Sequence, residues 1–340
     1  MTLRTADFEI PFEHRQSSHC ESGVASNLFR HYGHSISEAM AFGIGQGLFF
    51  GYLPFLRVNK LPLTTFRCPV GGVIRRLTQA FGVELESKKF RNPQKAMAAL
   101  DARLAQGTPV GCRTGGYWLP YFPEAFRFHF NMHNLIVYGK RGDDYLISDP
   151  VFPDPVVCSR SRLMKARFAK GALAPKGFMY CITRFTGREH PAPAIRKAIR
   201  GVSRTMLRRG LPLFGVAGMR FLAGRLEKWP ENLGHRKTLL HVGQIIRMQE
   251  EIGTGGAGFR FMYAAFLQEA AEVLNSPQVS ALAEKMTAAG DRWRRFALMG
   301  SRNCKGRATE EESLPAMASV LRECADRETE IYRKLLEAIR

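Results

Sequence analysis

Two short strand-like runs separated by three residues constrain this chain more than any other feature. Asn134 to Gly139 and Asp143 to Ser148 are rich in β-branched and aromatic side chains. Between them, Lys140-Arg141-Gly142 reads as a three-residue hairpin loop with Gly142 in the left-handed position. A hairpin makes the two strands antiparallel neighbours, which is not the βαβ alternation of a nucleotide-binding sheet. If Gly139 pairs with Asp143, the register puts His133 directly opposite Asp149, with Cβ atoms about 5 Å apart on one face. A bulge would slip that pairing by one residue. A carboxylate so placed fixes the tautomer of an imidazole and stabilises its protonated form. A cross-strand hydrogen bond with no chemistry is the alternative.

Cys20 adds a nucleophile to that pair. Glu21 to Tyr32 fits a helix, with Val24, Leu28 and Tyr32 on one face and Gly33 as the stop. Ser17 or Ser18 would cap it. Cys20 then lies at the first turn, where unpaired N–H groups and the helix dipole favour negative charge on sulfur. The chain has seven cysteines. Cys112, Cys158 and Cys181 sit in or beside strand-like stretches and read as small buried hydrophobes. An odd number without framework spacing fits a reducing cytoplasm better than a disulfide scaffold. Met1 to Arg15 shows no apolar signal-peptide run, so a cytoplasmic location is expected.

A length of 340 residues suggests two domains. Ser35 and Glu38 match a capping box opening a second helix. A helix is predicted over 72–81, and another after Asn92, which caps it with Pro93 in the first turn and Gly107 as the stop. Strands are predicted at 109–113 and 178–185. This is an α+β pattern over residues 1–190. His190 to Ala194 reads as a linker. Residues 191–340 then read as an all-α domain, with helices at 195–209, 235–252, 259–274, 277–299 and 310–339. Ala39 to Leu56 carries no charge over eighteen residues, the length at which a membrane span is considered. Its glycines weaken an isolated helix, so a buried helix–turn–strand under the active site is expected instead.

The formal net charge is +20, and residues 160–228 hold 17 Lys and Arg against two acids. Residues 231–340 are nearly balanced, with 16 basic and 15 acidic residues. Such a basic belt attracts nucleic acid, anionic lipid or an acidic protein. Within it, Ile195, Ile199, Val202 and Met206 form an apolar stripe, with Arg196, Lys197, Arg200, Arg204 and Arg208 mostly off it. No helix-turn-helix, zinc-finger or RNP-like pattern is present, so nucleic acid is not favoured. The amphipathic stretch would also suit an anionic membrane surface, less favoured than a protein partner. His129 and His133 have helical zinc spacing, but no Glu follows His129 and the region reads as strand entry, so no metal is expected. Gly253 to Gly258 fits a close-packing turn better than an anion-binding loop.

His19-Cys20-Glu21-Ser22-Gly23, the segment Glu38 to Gly47, the run His133 to Gly139 and Ser148-Asp149-Pro150 together resemble the N-terminal domain of the butirosin biosynthesis protein H family. Glu251 to Arg260, with Met262-Tyr263 and Phe266-Leu267, resembles the helical domain of unknown function that often follows it. The resemblance implies a papain-like, C39-peptidase-like fold, with Cys20 as nucleophile, His133 as base and Asp149 as orienter. It implies acyl transfer from a carrier protein to an amine. Papain-like enzymes place a Gln about six residues before the Cys, whereas position 14 here is His. The Cys20 N–H is then one oxyanion donor, with Gln16 or His19 as candidates for the second.

The expected function is therefore a cysteine acyltransferase or thioesterase acting on a phosphopantetheine thioester, with no bound cofactor. Its partners would be an acidic acyl carrier protein and a small-molecule acceptor or water. A C39-like cysteine peptidase and a non-catalytic basic binding protein are the alternatives.

Overall fold

Local signals account for most helix boundaries in the computed structural model, which describes residues 7–58, 60–124, 127–186, 191–208 and 210–340. The chain begins β1 (Phe8–Glu9), α1 (Cys20–His31), α2 (Glu38–Ile44), β2 (Leu48–Val58), β3 (Leu61–Arg67) and α3 (Gly72–Phe81). It continues β4 (Val83–Lys88), α4 (Pro93–Ala105), β5 (Val110–Thr114), β6 (His133–Arg141), β7 (Asp144–Ser148), β8 (Val156–Ser159), α5 (Arg160–Arg167) and β9 (Met179–Phe185). From there it is helical: α6 (Ala192–Leu207), α7 (Gly215–Leu233), α8 (His235–Glu250), α9 (Arg260–Leu274), α10 (Pro277–Cys304) and α11 (Leu314–Ala338). The fold class is mixed helix and antiparallel sheet followed by helices, as the sequence suggests.

Two compact units form: residues 1–41 with 74–189, and residues 42–73 with 190–340. This differs from a division at residue 190, because residues 42–73 belong with the helices. The expected linker begins at His190, outside the described residues, and Ala192 to Ala194 already belong to α6. Its proline occupies the first turn, where a missing N–H costs nothing.

In the first unit the strands run β4-β9-β5-β6-β7-β8, every pair antiparallel, with β1 added to β6. Met97, Leu100 and Leu104 of α4 and Leu163 and Ala166 of α5 pack on Val110, Cys112, Leu135, Val137, Tyr145 and Ile147 of the sheet. The Asn92 side chain accepts from Lys95 N at 3.0 Å, and Gly107 takes a φ of +71° at the other end of α4. Arg167 is fully buried here; its guanidinium donates to Ala96 O at 3.1 Å and Gly177 O at 3.3 Å. One cation of the basic belt is thus a core strut.

The uncharged stretch becomes α2 and the strand β2; β2 belongs to the second unit, where it pairs with β3 and packs on α7. No described helix is long and apolar enough to cross a membrane. A Cβ on Gly258, whose φ is +56°, would stand 2.3 Å from the Phe66 ring. Gly256 N bonds Thr254 Oγ1 at 3.0 Å, and Ala257 N bonds a Glu250 carboxylate oxygen at 3.1 Å. Gly258 therefore serves close packing.

That loop leads into a buried ion pair. Arg260 Nε donates to Glu328 Oε1 at 2.9 Å and Nη2 to Oε2 at 3.1 Å, with both side chains fully buried. Trp293 Nε1 and the Tyr332 hydroxyl also donate to this carboxylate, at 2.7 and 3.0 Å. Removing one partner leaves the other charge buried and unpaired. Glu328→Ala is expected to destabilise the protein by about 3–5 kcal/mol, and replacing Arg260 and Glu328 together by apolar residues by less. Urea unfolding followed by tryptophan fluorescence measures both; equal losses would contradict this reading.

Candidate active site

The nucleophile candidate is positioned by the way α1 starts. His19 takes an extended backbone conformation and caps the helix, its Nδ1 accepting from Ser22 N at 3.3 Å. The Glu38 carboxylate accepts from Ser18 N at 2.8 Å, His19 N at 2.7 Å and the Ser22 hydroxyl at 3.0 Å. Burial pushes the Glu38 carboxyl up, and these donors oppose the shift. Glu38 therefore braces the turn before Cys20 instead of completing a box with Ser35; α2 is capped by Ser37, whose hydroxyl accepts from Met40 N at 2.9 Å.

Gly23 lets α1 approach the turn after β7. A Cβ there would meet Pro150 Cβ at 2.7 Å, and Ser17 N donates to Pro150 O at 2.6 Å. These contacts hold Cys20 beside the end of β7. Its side chain is 7% exposed.

His133 and Asp149 meet, though by a different register from the simple one. The turn is the two-residue Gly142-Asp143, with Gly142 at φ +58°, as a type II′ turn requires of its first central residue. Gly139 pairs with Leu146, and Val137 with Ile147, so Tyr138 is an extra residue, a bulge on β6. Ile136 then faces Ser148, which sets Asp149 opposite Leu135, diagonal to His133 on the same face. His133 Nε2 bonds Asp149 Oδ2 at 2.6 Å. The same oxygen accepts from the Tyr121 hydroxyl at 2.8 Å, and Oδ1 accepts from Val151 N at 3.3 Å. Asp149 is fully buried and His133 is 5% exposed.

Burial alone would depress the His133 pKa, but the Asp149 carboxylate outweighs it, with a smaller contribution from Cys20, which also hydrogen-bonds the imidazole; the pKa is raised to about 10. Nε2 is taken by Asp149, so Nδ1 is the nitrogen left for the sulfur. Phe122 stands edge-on to the imidazole at 5.2 Å and Phe152 packs on Phe122 at 4.9 Å, forming an apolar wall.

Cys20, His133 and Asp149 thus come together. Gln16 is solvent-exposed, and His19 has its Nδ1 committed to the helix cap. His14 is tied elsewhere, to Ser148 Oγ at 2.8 Å and Phe152 O at 3.0 Å. The polar side chain facing the sulfur is Asn134, with Nδ2 3.9 Å from Cys20 Sγ. Neither Asn134 nor Tyr121 stood out in the sequence; adjacency to His133 is the only local signal for the former, and none exists for the latter. Arg196, Lys197, Arg200 and Arg204 lie on α6 and Arg208 at its end, in the second unit. Lys197, Arg204 and Arg208 are exposed, while Arg200 donates to Ile339 O at 3.4 Å. His129 stacks on Tyr117 at 4.2 Å, and among the described residues no group of three or more His, Cys, Asp or Glu side chains is placed to hold a metal ion.

Residues 161–335, just over half of the chain, match the family described as a domain of unknown function, DUF4872. The chain belongs to the DUF4872 family. In this DUF4872 protein, residues 19–150 also match the N-terminal region of butirosin biosynthesis protein H. Among solved structures it is similar to a protein from Bacillus anthracis described as C39-like peptidase, at 11% identity and a TM-score of 0.37, over 54% of this chain and all of that one. No curated protein matches it.

The raised His133 pKa has a stability consequence. The protonated imidazole is favoured in the folded state, so the stabilisation is full below about pH 6.5 and is lost as pH rises through about 10. Asp149→Asn is expected to abolish that pH-dependent component. Urea unfolding of both proteins across this range measures it; the same alkaline loss in the variant would assign it to other groups.

Proposed function

We propose that this protein is a cysteine-dependent acyltransferase or thioester hydrolase of a biosynthetic pathway. The observation that carries the reading is the buried His133 imidazole, bonded to Asp149 at 2.6 Å on one side and to Cys20 on the other. The match of residues 19–150 to butirosin biosynthesis protein H supports the biosynthetic setting.

In this reading the substrate is an acyl group carried as a phosphopantetheine thioester on an acyl carrier protein. The Cys20 sulfur attacks as the thiolate, and the S–C bond to the carrier breaks. The His133 imidazolium gives its proton to the departing thiol, leaving an acyl-enzyme and a neutral imidazole. That imidazole then takes a proton from the acceptor amine, hydroxyl or water as the acyl group leaves Cys20. Asp149 orients the ring and stabilises its charged form without itself being protonated. The exposed cations Lys197, Arg204 and Arg208 suit an acidic carrier protein, attracting it during encounter.

Intact-mass spectrometry with a panel of carrier-protein and N-acetylcysteamine thioesters tests this. The wild type is expected to gain an acyl adduct mapped to Cys20, and Cys20→Ala to gain none. No adduct and no thiol release across the panel would move peptide cleavage ahead of acyl transfer.

A further inference from the structure

Attack at Cys20 turns a carbonyl oxygen into an oxyanion two bonds from Sγ. Stabilising it calls for donors about 3 Å from that oxygen. One is the backbone N–H of Cys20, which as the first residue of α1 has no acceptor within its own helix. A second would come from a side chain near Sγ. His14 has both ring nitrogens engaged by Ser148 and Phe152, Gln16 is exposed, and His19 caps α1 through Nδ1.

Asn134 stands on the opposite side, from β6. It is buried, with Nδ2 3.9 Å from Cys20 Sγ. Its orientation is fixed by two further bonds. Oδ1 accepts from the Tyr180 hydroxyl at 3.3 Å, and Nδ2 gives one hydrogen to Met132 O at 3.1 Å. Burial raises the Tyr180 pKa well above the usual tyrosine range, so this hydroxyl keeps its proton and remains a donor. A flipped amide would set its N–H groups against that donor, so the second amide hydrogen is directed at the sulfur. Sulfur is a weak acceptor and the contact is long, so the amide is better suited to an oxygen forming next to Sγ.

We propose that Asn134 supplies the side-chain donor of an oxyanion hole for acylation at Cys20, with Tyr180 as the positioning residue that aims its amide. The inference rests on the acyl-transfer reading above. In the step, the sulfur lone pair forms the new S–C bond and the carbonyl π pair moves to oxygen, where Asn134 and the Cys20 N–H receive it. The pair then returns to re-form the carbonyl as the carrier sulfur leaves with the proton from His133.

Two reactions of one sulfur separate this role from a structural one. Acylation by an N-acetylcysteamine thioester passes through an oxyanion, whereas alkylation by iodoacetamide does not. Asn134→Ala is expected to slow acylation about 100- to 1,000-fold while alkylation mapped to Cys20 stays near the wild-type rate. Retained alkylation also reports that the site is folded. Tyr180→Phe should give a smaller loss of the same selective kind. Parallel loss of both reactions in Asn134→Ala, or unchanged acylation, overturns the proposal. A wild type alkylated at Cys20 yet acylated by no thioester of the panel would instead overturn the acyl-transfer reading, and this inference with it.

Discussion

The candidate site depends on one buried corner, residues 149–151. Its first member is a carboxylate with no solvent exposure, bonded to an imidazole that burial alone would keep neutral. Tyr121 and Val151 N hold that carboxylate from the other side. Its second member, Pro150, receives Ser17 N and lies against Gly23, so the helix bearing Cys20 docks on the same corner. A side chain at residue 23 would push α1 off this corner. The glycine is thus as much a part of the site's geometry as the three candidate side chains. The corner places the charge that raises His133 and the Cys20 sulfur within one local structure.

That His133 and Asp149 share a face was legible in the sequence, although the assumed register was not the real one. The turn is one residue shorter than the expected loop, a change that by itself would move Asp149 to the other face of the hairpin. The bulge at Tyr138 shifts the pairing back by one, a second odd slip that restores the face. The inference holds because strand alternation has period two and only the parity of the slip matters. Helix ends were legible for a similar reason: Asn92, Pro93, Gly82 and Gly107 act within a few residues of themselves.

What the sequence did not disclose depends on contacts between distant segments. Glu38 lies where a capping box is expected, but its carboxylate is used by the turn before α1, about twenty residues away, and Ser37 takes over the cap. Asn134 reads as an ordinary strand residue until Tyr180 and Cys20 stand on either side of its amide. Tyr121 lies in an aromatic run with no periodicity to mark it. Residues 42–73 look like part of the first domain by position alone. Their glycines decide otherwise: a Cβ on Gly43 would stand 2.0 Å from the Phe266 ring of α9, a fit that only an absent side chain allows.

The basic belt shows how formal charge and available charge differ. Arg167 is buried and spent on backbone carbonyls, Arg160 pairs with Asp101, Arg184 with Glu84, and Arg220 with Asp326. Each such pairing reduces the field beyond the protein, because a cation beside a carboxylate looks neutral from more than about a Debye length, roughly 8–10 Å. Lys197, Arg204 and Arg208 differ in kind. They are exposed along α6 and its end, opposite the apolar stripe that buries Ile195, Ile199, Val202 and Met206. Among the described residues none of the three is in an ion pair. Arg162, Lys165, Lys170, Lys176 and Lys228 are exposed as well, so the available charge is shared between α6 and other surfaces of the belt. Such exposed charge acts chiefly on association rates and weakens as salt rises.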